Sequence, residues 1–201
     1  MDNVFELVVF LGNPGDQYAR TRHNAARILL EYIPSVNTLN WKDKFHGRIA
    51  EYGVGASRAR FLIPETYMNI SGKSVAAAMS FFKFKLERVL IVHDDIELPF
   101  GRLAWRTGGG MGGHNGLKSI RDSIGSSDFS RLRIGIGRPS QGTVQSWVLG
   151  RFDPVEESAL SIILNAAASQ LTDALAGRSG VHETAESVTV YISDNKTGGA
   201  R

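Results

Sequence analysis

The sequence predicts an α/β protein, a single-domain three-layer α/β/α sandwich built on a mixed, twisted sheet. Short β-rich apolar runs alternate with segments whose apolar residues follow the helical period, the pattern of a sheet covered on both faces. The runs at 4–11, 47–63 and 89–92 are each followed by polar turn residues, which collects loops at one edge of such a sheet. The middle run breaks at Gly53 to Gly55 into two strands joined as a hairpin, and that makes the sheet mixed rather than purely parallel.

The elements follow in order. Val4 to Leu11 is a continuous apolar run that ends at Gly12-Asn13-Pro14-Gly15, turn chemistry directly after a buried strand. Thr21 is placed to cap a helix whose apolar residues Ala25, Ile28, Leu29, Tyr32 and Ile33 share one face up to Pro34, so His23 is expected in its first turn. Pro64 stops the hairpin's second strand, and Glu65 to Asn69 lead into a helix with the stripe Val75, Met79 and Phe82. Val89 to Val92 reads as a short buried strand ending at His93-Asp94-Asp95, and Leu103 to Arg106 as another. A glycine-rich run from Thr107 to Gly116 opens a helix bearing Leu117, Ile120 and Ile124. Arg131 to Gly137 is a further strand, and Asp153-Pro154 with Glu156 starts a long helix that Gly177 closes.

Composition bounds the function. A chain of 201 residues supports one domain with its own core, assigned here to residues 1–195, with Lys196 to Arg201 expected to be a disordered tail. The formal charge of +3 permits an anionic partner without naming one. The absence of cysteine rules out a disulfide framework and thiolate catalysis. Asp2 and Glu6 stand where a secretory leader carries basic residues, and no apolar run nears the roughly 20 residues that cross a bilayer. A cytoplasmic monomer is the resulting expectation.

Asn13, His23, Asn69, Asp94, His114 and Asn115 all follow strands or open helices, where side chains converge on one cleft. A histidine in a first helical turn feels the positive end of the helix, which favours the neutral ring and hence a base. A carboxylate such as Asp94 fixes the tautomer through one ring nitrogen and leaves the other to deprotonate water. Uncharged amides of Asn13, Asn69 or Asn115 suit a substrate carbonyl or developing oxyanion. Ester hydrolysis without a serine nucleophile or covalent intermediate is the reaction this set predicts. His46 and His182 have no such setting and read as ordinary residues.

The glycine run lacks the Gly-Lys-Ser/Thr of a P-loop. It is instead an amide-rich loop at a helix start, with Arg106 before it and Lys118 after it, suited to a nucleic-acid phosphate. Arg131, Arg133 and Arg138 extend the patch. Ser80-Phe-Phe-Lys83, Ser193-Asp-Asn195 and Lys196-Thr-Gly198 imitate serine β-lactamase signatures, but the last two are contiguous in a polar tail. His93-Asp94-Asp95 imitates a metal site, but adjacent strand residues face opposite ways and no further cluster has ligand spacing. Metal catalysis therefore stands well behind.

Five ordered motifs resemble one family: Gly12-Asn-Pro-Gly15 with Tyr18 and Thr21-Arg-His-Asn24; Thr66-Tyr-Met-Asn-x-Ser-Gly72; His93-Asp-Asp-Ile-Glu-Leu-Pro99; Gly108-Gly-Gly-x-Gly-Gly-His-Asn-Gly116; and Arg131-Leu-Arg-Ile-Gly-Ile-Gly-Arg-Pro139. The chain is similar over residues 7 to about 152 to the bacterial-type peptidyl-tRNA hydrolases. The resemblance implies a catalytic base at His23 partnered by Asp94, with Asn13 positioning water or substrate. It implies that Met68, Asn69, His114 and Asn115 line the peptidyl and ribose-ester site, supported by Tyr18 and Asn24. It further implies that Arg106, Arg133 and Lys118 hold phosphates of the acceptor stem of a peptidyl-tRNA whose 3′ end enters the site, and that no cofactor or metal is used. The pattern departs at Phe10 and Ala26, where family members commonly carry glycine, and these bulkier groups bear on rate rather than reaction. An RNA-binding adaptor without turnover and an esterase for small N-acylated esters are the alternatives, distinguished by cleavage and by salt dependence.

Overall fold

The computed structural model describes residues 5–53 and 58–178, with the backbone of a short strand at 185–187. His182, Ser193 to Asn195 and the tail from Lys196 lie outside the described residues. Eight strands form one sheet in the order β2-β3-β4-β1-β5-β7-β6-β8. They are β1 (Leu7–Phe10), β2 (Lys42–Lys44), β3 (Gly47–Tyr52), β4 (Ala59–Pro64), β5 (Val89–Asp95), β6 (Arg102–Thr107), β7 (Ser130–Gly135) and β8 (Ala185–Ser187). The central strands β4, β1, β5 and β7 run parallel, and the outer pairs are antiparallel. The mixed α/β architecture expected from the alternating pattern is present.

Both faces of the sheet are covered. Along β1, Val8 and Phe10 enter one core while Leu7 and Val9 enter the other, and β5 divides Leu90 and Val92 from Val89 and Ile91 in the same way. That division explains why both strands read as unbroken apolar runs. Helices α1 (Ala25–Leu29) and α5 (Pro154–Leu175) close the first face; α2 (Ser71–Phe82) and α3 (Asn115–Ile124) close the second. Helices α2 and α3 approach so closely that a Cβ on Gly72 would strike the backbone carbonyl of Ser119, and the Gly72 N–H donates to Ser119 Oγ at 3.0 Å. The chain leaves β1 toward the α1 face and β4 toward the α2 face, and such divergence opens a crevice beyond the carboxyl ends of the strands.

Several local expectations change. The helix predicted from Thr21 to Ile33 is a 3-10 turn (Arg22–Asn24), the short α1 and a second 3-10 turn (Leu30–Tyr32). Thr21 does not cap it: its hydroxyl donates to the Tyr18 carbonyl at 2.9 Å. His93 and Asp94 are not in a loop, because β5 continues to Asp95 by pairing Asp94 with Ile134 and Asp95 with Gly135. β7 ends at Gly135, short of the predicted Gly137, which turns away with φ of 66°. The hairpin at 47–63, α2, α3 and the Asp153 capping box that opens α5 match expectation. β2, β8 and a six-residue helix α4 (Val144–Leu149) were not anticipated. β2 is exposed throughout, and α4, although Val144, Trp147 and Val148 fall at helical spacing, is only six residues long and buries none of them fully.

Phe10 and Ala26, the two departures from the family pattern, are both fully buried in the α1/α5 core. The Phe10 ring meets Phe61 edge-on at 5.0 Å, and Phe61 stacks on Tyr52 at 4.4 Å. The extra volume at position 10 is absorbed by an aromatic cluster on that face.

Candidate active site

A cleft of about 1150 Å³ opens at the carboxyl ends of β1 and β5 and is lined by Asn13, His23, Asp94 and His114 among others. The backbone N–H of Asn13 donates to Asn24 Oδ1 at 2.8 Å, and Asn24 Nδ2 returns a bond to the Asn13 carbonyl at 3.0 Å. This reciprocal pair fixes the loop after β1 against the His23 turn. Asn13 Oδ1 accepts from the Met68 N–H at 2.8 Å, so the orientation of its amide is set and the Nδ2 end remains as a donor in the cleft.

His23 is buried, and its Nδ1 lies 2.9 and 3.0 Å from the two carboxylate oxygens of Asp94. A carboxylate there places the ring hydrogen on Nδ1 and leaves the Nε2 lone pair for the cleft. Asp94, 1 % exposed, has a second imidazole partner. His114 Nε2 lies 3.0 Å from Asp94 Oδ1, while His114 Nδ1 accepts from the N–H groups of Gly116 and Leu117 at 3.1 and 3.3 Å. His114 is thus both the N-cap of α3 and a donor to Asp94.

These contacts set the electrostatics. Burial lowers the His23 pKa, but the charge of Asp94 and its hydrogen bond outweigh that and raise it above 6.5. The lowering expected from a helix end does not prevail: His23 precedes a helix of only five residues, and the carboxylate sets the direction of the shift. Burial pushes the Asp94 carboxyl up, yet His23 and His114 hold it well below the usual carboxylate range. Under the pair lies His93, with Nδ1 2.6 Å from the Asp94 carbonyl and its pKa pushed down to about 3, first by burial and then by the charge of His114.

His23, Asp94 and His114 place potential ligand atoms within 4.8 Å of one another, a cluster that sequence spacing had hidden. Its hydrogen bonds do not suit a cation. Both nitrogens of His114 are engaged, and freeing the Nε2 lone pair would put a hydrogen on Nδ1 against two N–H donors. The set fits a hydrogen-bonded network better than a metal.

Met68, Asn69 and Asn115 also line the cleft. Tyr18 sits outside it, edge-on to the cleft residue Tyr67 at 6.5 Å. On the β6/β7 side, Arg106 and Arg133 line the cleft, with Arg133 Nε held by Asp95 at 2.8 Å. Lys118 is exposed on α3 and is not part of the lining. Arg131 is 2 % exposed and binds the Gly110 carbonyl through Nη1 at 2.9 Å. Burial and then the neighbouring Arg106 and Arg133 lower its pKa to about 10, so it remains a cation near neutrality. Sequence reasoning missed Tyr67, which its place in Thr66-Tyr-Met-Asn69 signalled, and the α4 wall of Val144, Val148 and Leu149, signalled only by the helical spacing of Val144, Trp147 and Val148 after the Thr143 cap.

The family profile described as peptidyl-tRNA hydrolase matches residues 7–196. A peptidyl-tRNA hydrolase of Treponema pallidum (strain Nichols) is 51 % identical over 160 residues, 77 % of this chain and 79 % of that protein. One of Mannheimia succiniciproducens is 46 % identical over 168 residues, covering 82 % and 87 %. The crystal structure of peptidyl-tRNA hydrolase from Acinetobacter baumannii superposes with a TM-score of 0.78 at 37 % identity, covering 89 % of this chain and 92 % of that one.

Proposed function

The chain belongs to the peptidyl-tRNA hydrolase family, and from that premise we propose that it hydrolyses the ester between a peptide, or an N-blocked amino acid, and tRNA by means of water activated at His23. The observation that carries this reading is the fixed pair itself: Nδ1 of His23 on the Asp94 carboxylate, with Nε2 left to the cleft. His23 Nε2 takes a proton from water as the water oxygen bonds to the ester carbonyl carbon. Asp94 stabilises the imidazolium that results. The donor end of the Asn13 amide holds the developing oxyanion. When the tetrahedral intermediate collapses, the bond to the ribose oxygen breaks and that oxygen takes the proton back from His23. The products are a peptide acid and tRNA with a free terminal hydroxyl.

No serine, threonine or cysteine is among the described residues lining the cleft, which supports water rather than a side chain as the nucleophile. Met68, Asn69, His114 and Asn115 form the peptidyl and ribose side, with His114 acting through Asp94, and Tyr18 and Asn24 support it from behind. Arg106, Arg133 and the exposed Lys118 grip acceptor-stem phosphates as the 3′ end enters. Among the described residues no helix is long and apolar enough to cross a membrane, and we assign the protein to the cytoplasm as a monomer.

The test is release of the N-blocked amino acid from N-acetyl-aminoacyl-tRNA, with unblocked aminoacyl-tRNA and His23→Ala alongside. Cleavage confined to the blocked substrate, and reduced roughly a hundredfold or more in the variant, is expected. Binding without cleavage by the parental protein would instead make it an adaptor.

A further inference from the structure

The residue before the base is bound away from the cleft. Arg22 is 5 % exposed. Its Nη1 donates to the Arg151 carbonyl and its Nη2 to Glu156 Oε2, both at 2.5 Å. Its guanidinium carbon lies 3.6 Å from the centroid of the Trp147 ring and 5.5 Å from that of Phe152. The backbone is joined at the same place: Arg22 N–H donates to the Gly150 carbonyl at 2.9 Å, and Thr21 bridges Arg151. Glu156 Oε2 also accepts the Asp153 N–H at 2.9 Å, which ties the clasp to the start of α5.

Trp147 is the central residue of this contact. It sits on α4, whose Val144, Val148 and Leu149 form one wall of the cleft, and its Nε1 donates to the Gly137 carbonyl beyond β7 at 2.9 Å. One face of the indole is therefore occupied by Arg22 while its edge is fastened to the sheet. α4 is a six-residue helix with no fully buried residue, and only Trp147 and Val148 pack, partly buried, against the α1/α5 core. The stack on Arg22 and the backbone bonds at Gly150 and Arg151 fix its distance from His23.

We propose that Arg22 is a positioning residue for hydrolysis, clasping α4 through Trp147 so that the cleft wall and His23 keep the separation that the reacting ester requires. The inference rests on His23 being the base. A guanidinium is needed because a planar stack and two directed donors are used together, and a lysine ammonium, a compact charge with rotatable donors, has neither the flat face nor the fixed fork. Small displacements of a reacting group cost rate more than binding, and the phosphate-gripping arginines lie on β6 and β7, away from the clasp. Loosening the clasp is therefore read in kcat rather than in KM.

The experiment compares Arg22→Lys, Trp147→Leu, Trp147→Phe and the double variant Arg22→Lys/Trp147→Leu with the parental protein and His23→Ala. Each is assayed on N-acetyl-aminoacyl-tRNA well below its melting temperature. The expected result is a kcat loss of about tenfold or more in Arg22→Lys and Trp147→Leu, with KM changed by less than about threefold. Trp147→Phe, which keeps an aromatic face, should recover most of the rate, and the double variant should lose little more than either single one. A purely stabilising contact would lower the melting temperature and leave kcat of the folded enzyme unchanged, and that result overturns the inference. Losses in KM alone, or equal losses in Trp147→Phe and Trp147→Leu, overturn it too. If His23→Ala retained parental turnover, the base assignment itself would fall; loss in His23→Ala with full activity in the clasp variants would reject the clasp alone.

Discussion

At the scale of single residues, the decisive competition is between burial and the carboxylate at His23. Burial opposes protonation of the ring, as it does at His93, where burial and then the charge of His114 push the pKa down to about 3. Asp94 reverses the sign at His23 and raises its pKa above 6.5. The base form is the unprotonated one, so kcat/KM should rise with pH and level off with a midpoint above 6.5, as the raised His23 pKa dictates. Asp94→Asn removes the charge but not the burial, and should move the midpoint to below 6.5 while lowering the plateau by roughly a hundredfold or more. A midpoint unchanged in that variant would mean that another group is titrating. Tautomer and pKa are thus set by the same bond, and the raised pKa limits activity on the acid side as a consequence of holding the ring in position.

At the scale of elements, α3 illustrates how a helix start serves chemistry. His114 occupies the N-cap, accepting from Gly116 and Leu117 through Nδ1 while Nε2 bonds Asp94. The two tasks separate by substitution, because asparagine is a good N-cap but too short to reach as the imidazole does. His114→Ala should lose about 1 kcal/mol of stability in urea unfolding, and His114→Asn should regain most of it. Both should fall below the parental rate, because both leave Asp94 with one partner. Parental turnover in His114→Asn would show that the bond to Asp94 does not matter. α4 is the contrasting case: a wall of the cleft with little burial of its own, held by groups on the His23 turn and at the end of β7.

At the scale of the whole molecule, the layers were legible because β1 and β5 bury both faces, and the runs Val4 to Leu11 and Val89 to Val92 are short, rich in β-branched residues and closed by polar residues, which favours strands. Asn13 and His23 were legible through their places after β1 and before α1, and Asp94 through its place at the carboxyl end of β5, a strand that runs further than its apolar residues signal. What sequence did not carry was distance. The second bond to Asp94 from His114, the burial of Arg131 and the stack of Arg22 on Trp147 all join residues far apart in the chain, and no periodicity encodes them. The charge distribution is another such property. A net charge of only +3 conceals three guanidiniums, Arg106, Arg131 and Arg133, near enough that the other two help to lower the pKa of Arg131. A phosphate placed among them would relieve that repulsion. Arg106 has no ion pair among the described residues, while Arg133 Nε is already engaged by Asp95. In the His23→Ala protein, expected to cleave roughly a hundredfold more slowly, log Kd for peptidyl-tRNA should rise linearly with log salt from about 50 to 200 mM. Arg106→Gln should reduce that slope by about one, weakening all tRNAs alike. Arg133→Gln should cost more, because it also releases the Asp95 carboxylate toward the bound phosphate. A slope near zero in the parental background would remove phosphate contact from the account and leave an esterase that recognises only the peptidyl end.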